Sequence, residues 1–523
     1  MLRAELELVP VLPERALVVL GYPDIATAAD AVPAILPHDP IALEGVDHKL
    51  IRDEQIKHLN PHALHELPAG RAFLLVQFGG ATAEEVHARA HALLDDLHDT
   101  ENRADVEFLG DPAREDDLWR VREAGLGVTA HLAGKPDTFE GWEDSAVAPD
   151  RLGEYLRRLR ELYEEFGYAS DTGPALYGHF GQGCVHTRIP FDLYTADGVA
   201  TYRRFVERAA DLVAEFGGSF SGEHGDGQSR GELLPRMFGE EIVTAFGQLK
   251  AIFDPVDRMN PGKVVAPYRL DENLRLGPRW APAEPQDLRF RYPDDGGSFS
   301  QAVNRCVGVG RCRRHATGGD QVMCPSYQVT GEEEHSTRGR ARLLFEMLDG
   351  HGDQTISQGW RSAEVKDALD LCLACKGCKS DCPANVDMAT YKAEFLSHHY
   401  EGRQWRRPRS GLTMGWLPLI AQLVGRLRLG PLVNAVTMLR GCPGWRPPWR
   451  GSPPARFRCS PGRHFSTGSP AVPRVGTVPG GPCCCGPTRS PTGSTPTSGR
   501  PPSRSPKTRA GGSPCRPARC AAG

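Results

Sequence analysis

The sequence predicts an α+β domain, followed by a mainly helical, cysteine-rich domain and a disordered tail. Three observations carry this. Short strand-like apolar runs alternate with helical periodicities over residues 16–110. Of the eight cysteines in residues 1–440, seven fall between positions 306 and 382. After residue 440 no periodicity survives. A chain of 523 residues has room for two or three domains with sizeable cores.

Residues 16–20 (Ala-Leu-Val-Val-Leu) read as a strand and 25–36 as a helix; 72–77 is a second strand and 83–97 repeats the helical pattern. Residues 150–166 and 199–216 are amphipathic helices. Between them lies a Gly- and His-containing strand-and-turn stretch, 177–188. A further helix over 240–253 is closed by Asp254-Pro255. Prolines 267, 278, 282, 285 and 293 mark 266–300 as a linker. Ser336 is placed to cap a helix running through 342–347. The expected domains are therefore 1–265, a linker over 266–300, a cluster-binding region over 301–400, a helical segment over 401–440 and a tail over 441–523.

The tail differs from the body in charge. From Gly441 onward there is no Asp or Glu but 13 Lys and Arg; subtracting these from the net charge of −4 leaves about −17 on residues 1–440. An acidic body argues against nucleic acid as a partner. The tail holds 18 of the 44 prolines and cannot bury a core, so it should be disordered. Either it is a genuine low-complexity segment or a GC-rich gene read in the wrong frame. Its abrupt onset and scattered cysteines favour the frameshift.

The N-terminus shows no basic region followed by a long apolar run. The most apolar stretch, 416–438, is interrupted by Arg426 and Arg428, which argues against a transmembrane span and for a packed or surface-lying helix. A cytoplasmic protein is expected, with peripheral contact to the inner membrane left open.

Cys372, Cys375, Cys378 and Cys382-Pro383 have the spacing C-x2-C-x2-C-x3-C-P, which directs three thiolates from one tight loop onto an iron–sulfur cluster while the fourth serves a neighbour. Zinc is the alternative, but its sites normally use two separate CxxC pairs. Upstream stand Cys306, Cys312 and Cys324-Pro325, with Val309 where a standard motif would carry a cysteine. One 4Fe-4S cluster is thus fully supplied, by Cys372, Cys375, Cys378 and Cys324. A second would have only Cys306, Cys312 and Cys382; it could be three-iron, borrow another ligand, or be absent.

His179 and His186 stand seven apart in the strand-and-turn stretch, and Glu223 and His224 follow in Ser221-Gly-Glu-His-Gly-Asp-Gly227. Two imidazoles and a carboxylate can form an open divalent, zinc-like metal site, with a neighbouring His free as a base. Any one of these histidines alone is more often structural.

Residues 177–193, the Gly-Glu-His-Gly-Asp-Gly block and 252–263 (Ile-Phe-Asp-Pro-Val-Asp-Arg-Met-Asn-Pro-Gly-Lys) together resemble the C-terminal catalytic domain of FAD-linked oxidases, the group containing D-lactate, D-2-hydroxyglutarate and glycolate dehydrogenases. The cysteine region, including 335–342, resembles the subset with a ferredoxin-type 4Fe-4S module on the same chain. The resemblance covers about residues 5–435. It implies a cap or substrate domain with ferredoxin-like βαβ elements. It further implies a flavin dehydrogenase of a small D-2-hydroxy acid, with electrons leaving through the cluster to a quinone, cytochrome or flavoprotein. By motif position His179, His186 and Glu223 match the family's metal ligands and His224 its base. Arg122 is a candidate carboxylate clamp, an exposed helix arginine being the alternative. Gly225, Asn260 and Lys263 are candidates for lining the FAD. Members of the family carry a further FAD-binding domain ahead of this point, and no Gly-rich phosphate cradle stands near Met1. The chain is therefore expected to be truncated at both ends, which leaves a non-enzymatic cluster-binding protein as the alternative.

Overall fold

The computed structural model describes residues 5–98, 104–170, 173–314 and 323–402, with Trp416, Leu419 and 422–427 beyond them. The described residues up to 402 belong to one compact unit. The tail expected over 441–523, and nearly all of the helical segment expected over 401–440, lie outside the described residues.

The chain begins with β1 (Glu14–Tyr22), α1 (Ile25–Ile35), β2 (Ala42–Asp47), α2 (His48–Lys57), β3 (Ala72–Gly80), α3 (Ala83–His98), β4 (Asp105–Leu109) and α4 (Pro112–Val128). The strands pair antiparallel in the order β4-β1-β3-β2, the ferredoxin-like arrangement. Sequence reading finds β1, α1, β3 and α3 but not β2, α2, β4 or α4. The unbroken apolar run of β1 has a direct cause. Ala16, Val18 and Leu20 face α1 and α3, while Leu17 and Val19 face α2 and α4, so both faces are buried and alternation disappears.

The sheet continues past β2. β5 (Asp144–Ala146), α5 (Leu152–Glu165), β6 (Leu176–Gly178), β7 (Cys184–Thr187) and α6 (Ala196–Glu215) follow, giving the seven-stranded order β4-β1-β3-β2-β6-β7-β5. Asp47 makes the splice. Its Oδ1 accepts from Leu50 N (3.0 Å), capping α2, and its Oδ2 accepts from Leu176 N (2.9 Å), seating the start of β6. The turn between β6 and β7 depends on Gly178, at φ +155°, where a Cβ would stand 2.4 Å from the Cys184 carbonyl oxygen. Short helices α7 (Gly227–Arg230) and α8 (Leu234–Phe238) lead into α9 (Glu240–Phe253), matching the helix read over 240–253.

Beyond α9 no further strand occurs among the described residues. Residues 266–300 are anchored at particular points: the Trp280 ring stacks on Phe345, and the fully buried Glu394 accepts from Arg289 N, Phe290 N and Tyr292 Oη. The helices α10 (Phe299–Asn304), α11 (Pro325–Thr330), α12 (Thr337–Met347), α13 (Ala363–Asp370), α14 (Gly377–Asp381) and α15 (Met388–His399) carry the cysteine loops. Ser336 caps α12 as its position predicts, accepting from Gly339 N at 2.9 Å. This region docks on the first through Lys57 at the end of α2, whose Nζ donates to Gly127 O (2.9 Å) and Pro383 O (2.7 Å). Gly127 is required there, since a Cβ would meet the Pro383 ring at 2.5 Å.

Asp47→Ala removes a helix cap and a strand anchor together, and each leaves a buried N–H without its acceptor. The loss should be about 2–3 kcal/mol of unfolding free energy, read as a lower midpoint in chemical denaturation. An unchanged midpoint would show that Asp47 does not splice the sheet.

Candidate active site and cluster site

Register brings the site together. Asp144 lies opposite His186 across β5 and β7, and His186 lies opposite Tyr177 across β7 and β6. On β7, Cys184 and His186 share the face that looks at Asp144, while Val185 points into the core. His179 follows β6 directly, and the loop carrying Glu223 and His224 folds over the end of β5.

The expected metal-site residues converge. Glu223 Oε1 lies 3.1 Å from His179 Nε2, 3.1 Å from His186 Nε2 and 3.6 Å from His224 Nε2. The His186 and His224 rings are parallel at 5.2 Å, and His179 meets His186 edge-on. Asp144, His186, Glu223 and His224 each offer a ligand atom within a 4.8 Å span. Three imidazole nitrogens around a half-exposed carboxylate are a donor set that suits a divalent metal with open positions.

Four residues that sequence reading missed hold these groups in place. Glu44, buried in β2, bonds His179 Nδ1 through Oε1 (2.7 Å) and accepts from Arg122 Nε through Oε2 (2.7 Å). His179 Nε2 is thereby aimed at Glu223, the arrangement by which a second carboxylate orients a ligating histidine. Asp144, fully buried, accepts through Oδ2 from Ser221 Oγ (2.5 Å), Glu223 N (3.1 Å) and His224 N (2.7 Å), and through Oδ1 from Cys184 Sγ (3.2 Å). Glu143 Oε1 lies 3.6 Å from His224 Nδ1, and its Oε2 accepts from the buried Arg230 (3.0 Å). One signal could have found the acids: Glu and Asp are depleted from strands, and these three sit within or at the edge of short ones.

Charge follows this framework. Burial works to raise the Glu143 carboxyl, but His224 and Arg230 hold it well below the usual range. Burial likewise opposes the donors around Asp144, which nonetheless keep it ionised. The Glu44 hydrogen bond raises His179, and Glu143 raises His224. Burial, and then the Arg122 and His179 charges, push His186 down, so that it presents a neutral nitrogen.

Arg122 is largely buried on α4, 5.1 Å over the Tyr177 ring, so the exposed-arginine alternative does not hold. Its Nε is committed to Glu44 and the Nη atoms form the other edge of its fork. Gly225, at φ +82°, donates its N–H to Ser221 Oγ and accepts from Arg230 through its carbonyl. Asn260 is exposed at positive φ, and Lys263 Nζ donates to the neutral Gln228 amide (3.3 Å) above the Tyr268 ring.

Cys324, Cys372, Cys375 and Cys378 line one pocket with Thr337, Arg340 and Met388, the four-thiol set expected for a cluster. Cys324 accepts from Thr337 N (3.1 Å) at the start of α12. Cys312 stands beside it: the Cys324 thiol, Arg338 N and Ser336 together draw its thiol downward. Cys306, Cys312 and Cys382 are electrostatic neighbours of one another.

Replacing Glu44 with Gln should weaken binding of Zn2+ to the metal-free chain 10- to 100-fold, about the usual cost of losing such a second carboxylate. Competition titration against a chromophoric chelator reads this. Unchanged affinity would remove His179 from the ligand set.

Residues 12–264 match the family of FAD linked oxidases, C-terminal domain, and residues 302–386 match the 4Fe-4S dicluster domain. The chain is 30% identical over 483 residues to the D-2-hydroxyglutarate dehydrogenase of Pseudomonas putida, a match covering 83% of this chain and 45% of that protein. It is 26% identical over 463 residues to the enzyme of the same name from Escherichia coli, covering 78% and 43%. A shorter match, 38% over 122 residues, joins it to a D-lactate dehydrogenase of Archaeoglobus fulgidus, covering 23% of this chain and 26% of that protein. The chain thus spans less than half the length of these relatives. What it shares with them is the match of residues 12–264 to the FAD-linked oxidase C-terminal domain and of 302–386 to the 4Fe-4S dicluster domain.

Proposed function

We propose that this chain forms the hydroxy-acid site and the electron outlet of a flavin-dependent dehydrogenase, which oxidises a D-2-hydroxy acid of the 2-hydroxyglutarate or lactate type to the 2-oxo acid. The observation that carries this is the convergence of three imidazole Nε2 atoms on Glu223, next to a domain whose thiols are arranged for a cluster. The names of the relatives support the substrate class.

His179, His186 and Glu223 would hold a divalent metal, whose chemistry is to bind the substrate's hydroxyl and carboxylate oxygens and acidify the hydroxyl. His224 takes the hydroxyl proton at Nε2. Its other nitrogen faces Glu143, whose negative charge stabilises the imidazolium that results. Arg122 presents its Nη edge to a carboxylate near His179. Asn260 and Lys263 would line a bound FAD, which supplies the acceptor for the hydride leaving the α-carbon. The thiolates of Cys324, Cys372, Cys375 and Cys378 would hold an iron–sulfur cluster, which supplies a one-electron path onward to a quinone, a cytochrome or a flavoprotein.

Two measurements test this. Calorimetry on the Zn2+-loaded chain should show D-2-hydroxyglutarate or D-lactate binding, absent for the metal-free chain and for His186→Ala. No binding to the loaded chain would sink the reading. In a preparation that reduces an artificial dye with a D-2-hydroxy acid, His224→Gln should slow turnover by about 100- to 10,000-fold while binding changes little. A variant retaining full turnover would remove His224 as the base.

A further inference from the structure

The dicluster match implies two four-cysteine sites, yet only seven cysteines lie within its span. Spacing puts the missing ligand at Val309, midway between Cys306 and Cys312. That side chain lies on the α4 backbone, its Cγ2 3.2 Å from where a Cβ on Gly127 would stand, and Pro383 packs against the same glycine. The group facing this joint is the Lys57 ammonium, a donor.

We propose that Cys306, Cys312 and Cys382 hold a second iron–sulfur cluster on three thiolates, with the corner at Val309 left without a protein ligand, so that its resting form is three-iron.

Several independent features call for an anion at this place. Arg275 Nε and Asn304 Nδ2 are buried N–H donors with no acceptor among the described residues. Asn304 lies two residues before Cys306, whose sulfur is near enough to the Arg275 guanidinium to act on it. Bridging sulfides of a cluster are acceptors that would satisfy both donors. Backbone N–H groups already point at the three sulfurs: Gly308 at Cys306, Arg338 at Cys312, and Val386 and Ala384 at Cys382. Lys57 adds a third line: its Nζ donates to the carbonyls of Gly127 and Pro383, both neutral, and Pro383 directly follows Cys382.

This reading shares with the first cluster only the assumption that the domain takes iron, and the two are separable by experiment. Iron and acid-labile sulfide are counted on the full chain purified without oxygen, alongside EPR of the oxidised sample. Two filled sites, one cubane and one lacking a corner, give about seven irons and a three-iron signal. Cys306→Ser should leave about four irons and abolish that signal, with the site at Cys324, Cys372, Cys375 and Cys378 intact. Val309→Cys, which restores the absent ligand, should raise the count to about eight and also remove the signal. About four irons in the unaltered chain, unchanged by Cys306→Ser, would overturn the proposal; so would about eight with no three-iron signal. Should Val309→Cys fail to fold, the unaltered chain and Cys306→Ser still decide.

Discussion

One buried carboxylate fixes the geometry on which the rest of the site depends. Asp144 sits at the edge of the sheet with no solvent around it, and its charge is met by one hydroxyl, one thiol and two backbone N–H groups. Both N–H groups belong to the loop, those of Glu223 and His224. The loop therefore cannot leave without stranding a buried anion, which costs several kcal/mol. Side chains that would otherwise move with a surface loop are thus held to the sheet carrying His186. The strand pairing supplies the remaining alignment, since His186 is the cross-strand partner of Asp144 itself.

The same logic joins the two domains. Lys57 ends a helix of the first domain, caps the carbonyl of Gly127 at the end of α4, and reaches the carbonyl of Pro383 just past Cys382. Arg122 lies on the same α4, one and a half turns earlier, bonded to the Glu44 that orients His179. A single helix therefore runs from the metal-site framework to the cysteine loops. A redox centre on those cysteines would sit on rigid structure shared with the hydroxy-acid site, as one-electron transfer between fixed centres requires.

Much of this was legible in the sequence, and what was not has physical reasons. The cysteine spacing defined the four-thiol set because cluster ligation is a local loop property plus one distant thiol. The histidine and Gly-Glu-His-Gly-Asp-Gly motifs likewise gave His179, His186, Glu223 and His224, which the fold does bring together. Glu44, Glu143 and Asp144 stand out only as acids in or beside short strands, and their partners could not be read, because those come from strand register between segments more than 35 residues apart. β2 and α2 escaped notice because their residues include buried Glu44, Asp47, Asp53 and Glu54, whose polarity hides the apolar pattern. Residues 266–300 read as a linker from their prolines, and proline density does not reveal that Trp280 and Arg289 anchor the stretch to α12 and α15.

The central claim is a metal site built from imidazoles and a carboxylate, separate from the thiols. X-ray absorption at the zinc edge, on the chain with its clusters loaded and one equivalent of Zn2+ added, addresses it directly. The prediction is a nitrogen and oxygen shell at about 2.0–2.2 Å with the outer scattering of at least two imidazoles. A sulfur shell at about 2.3 Å, or no imidazole scattering, would contradict it.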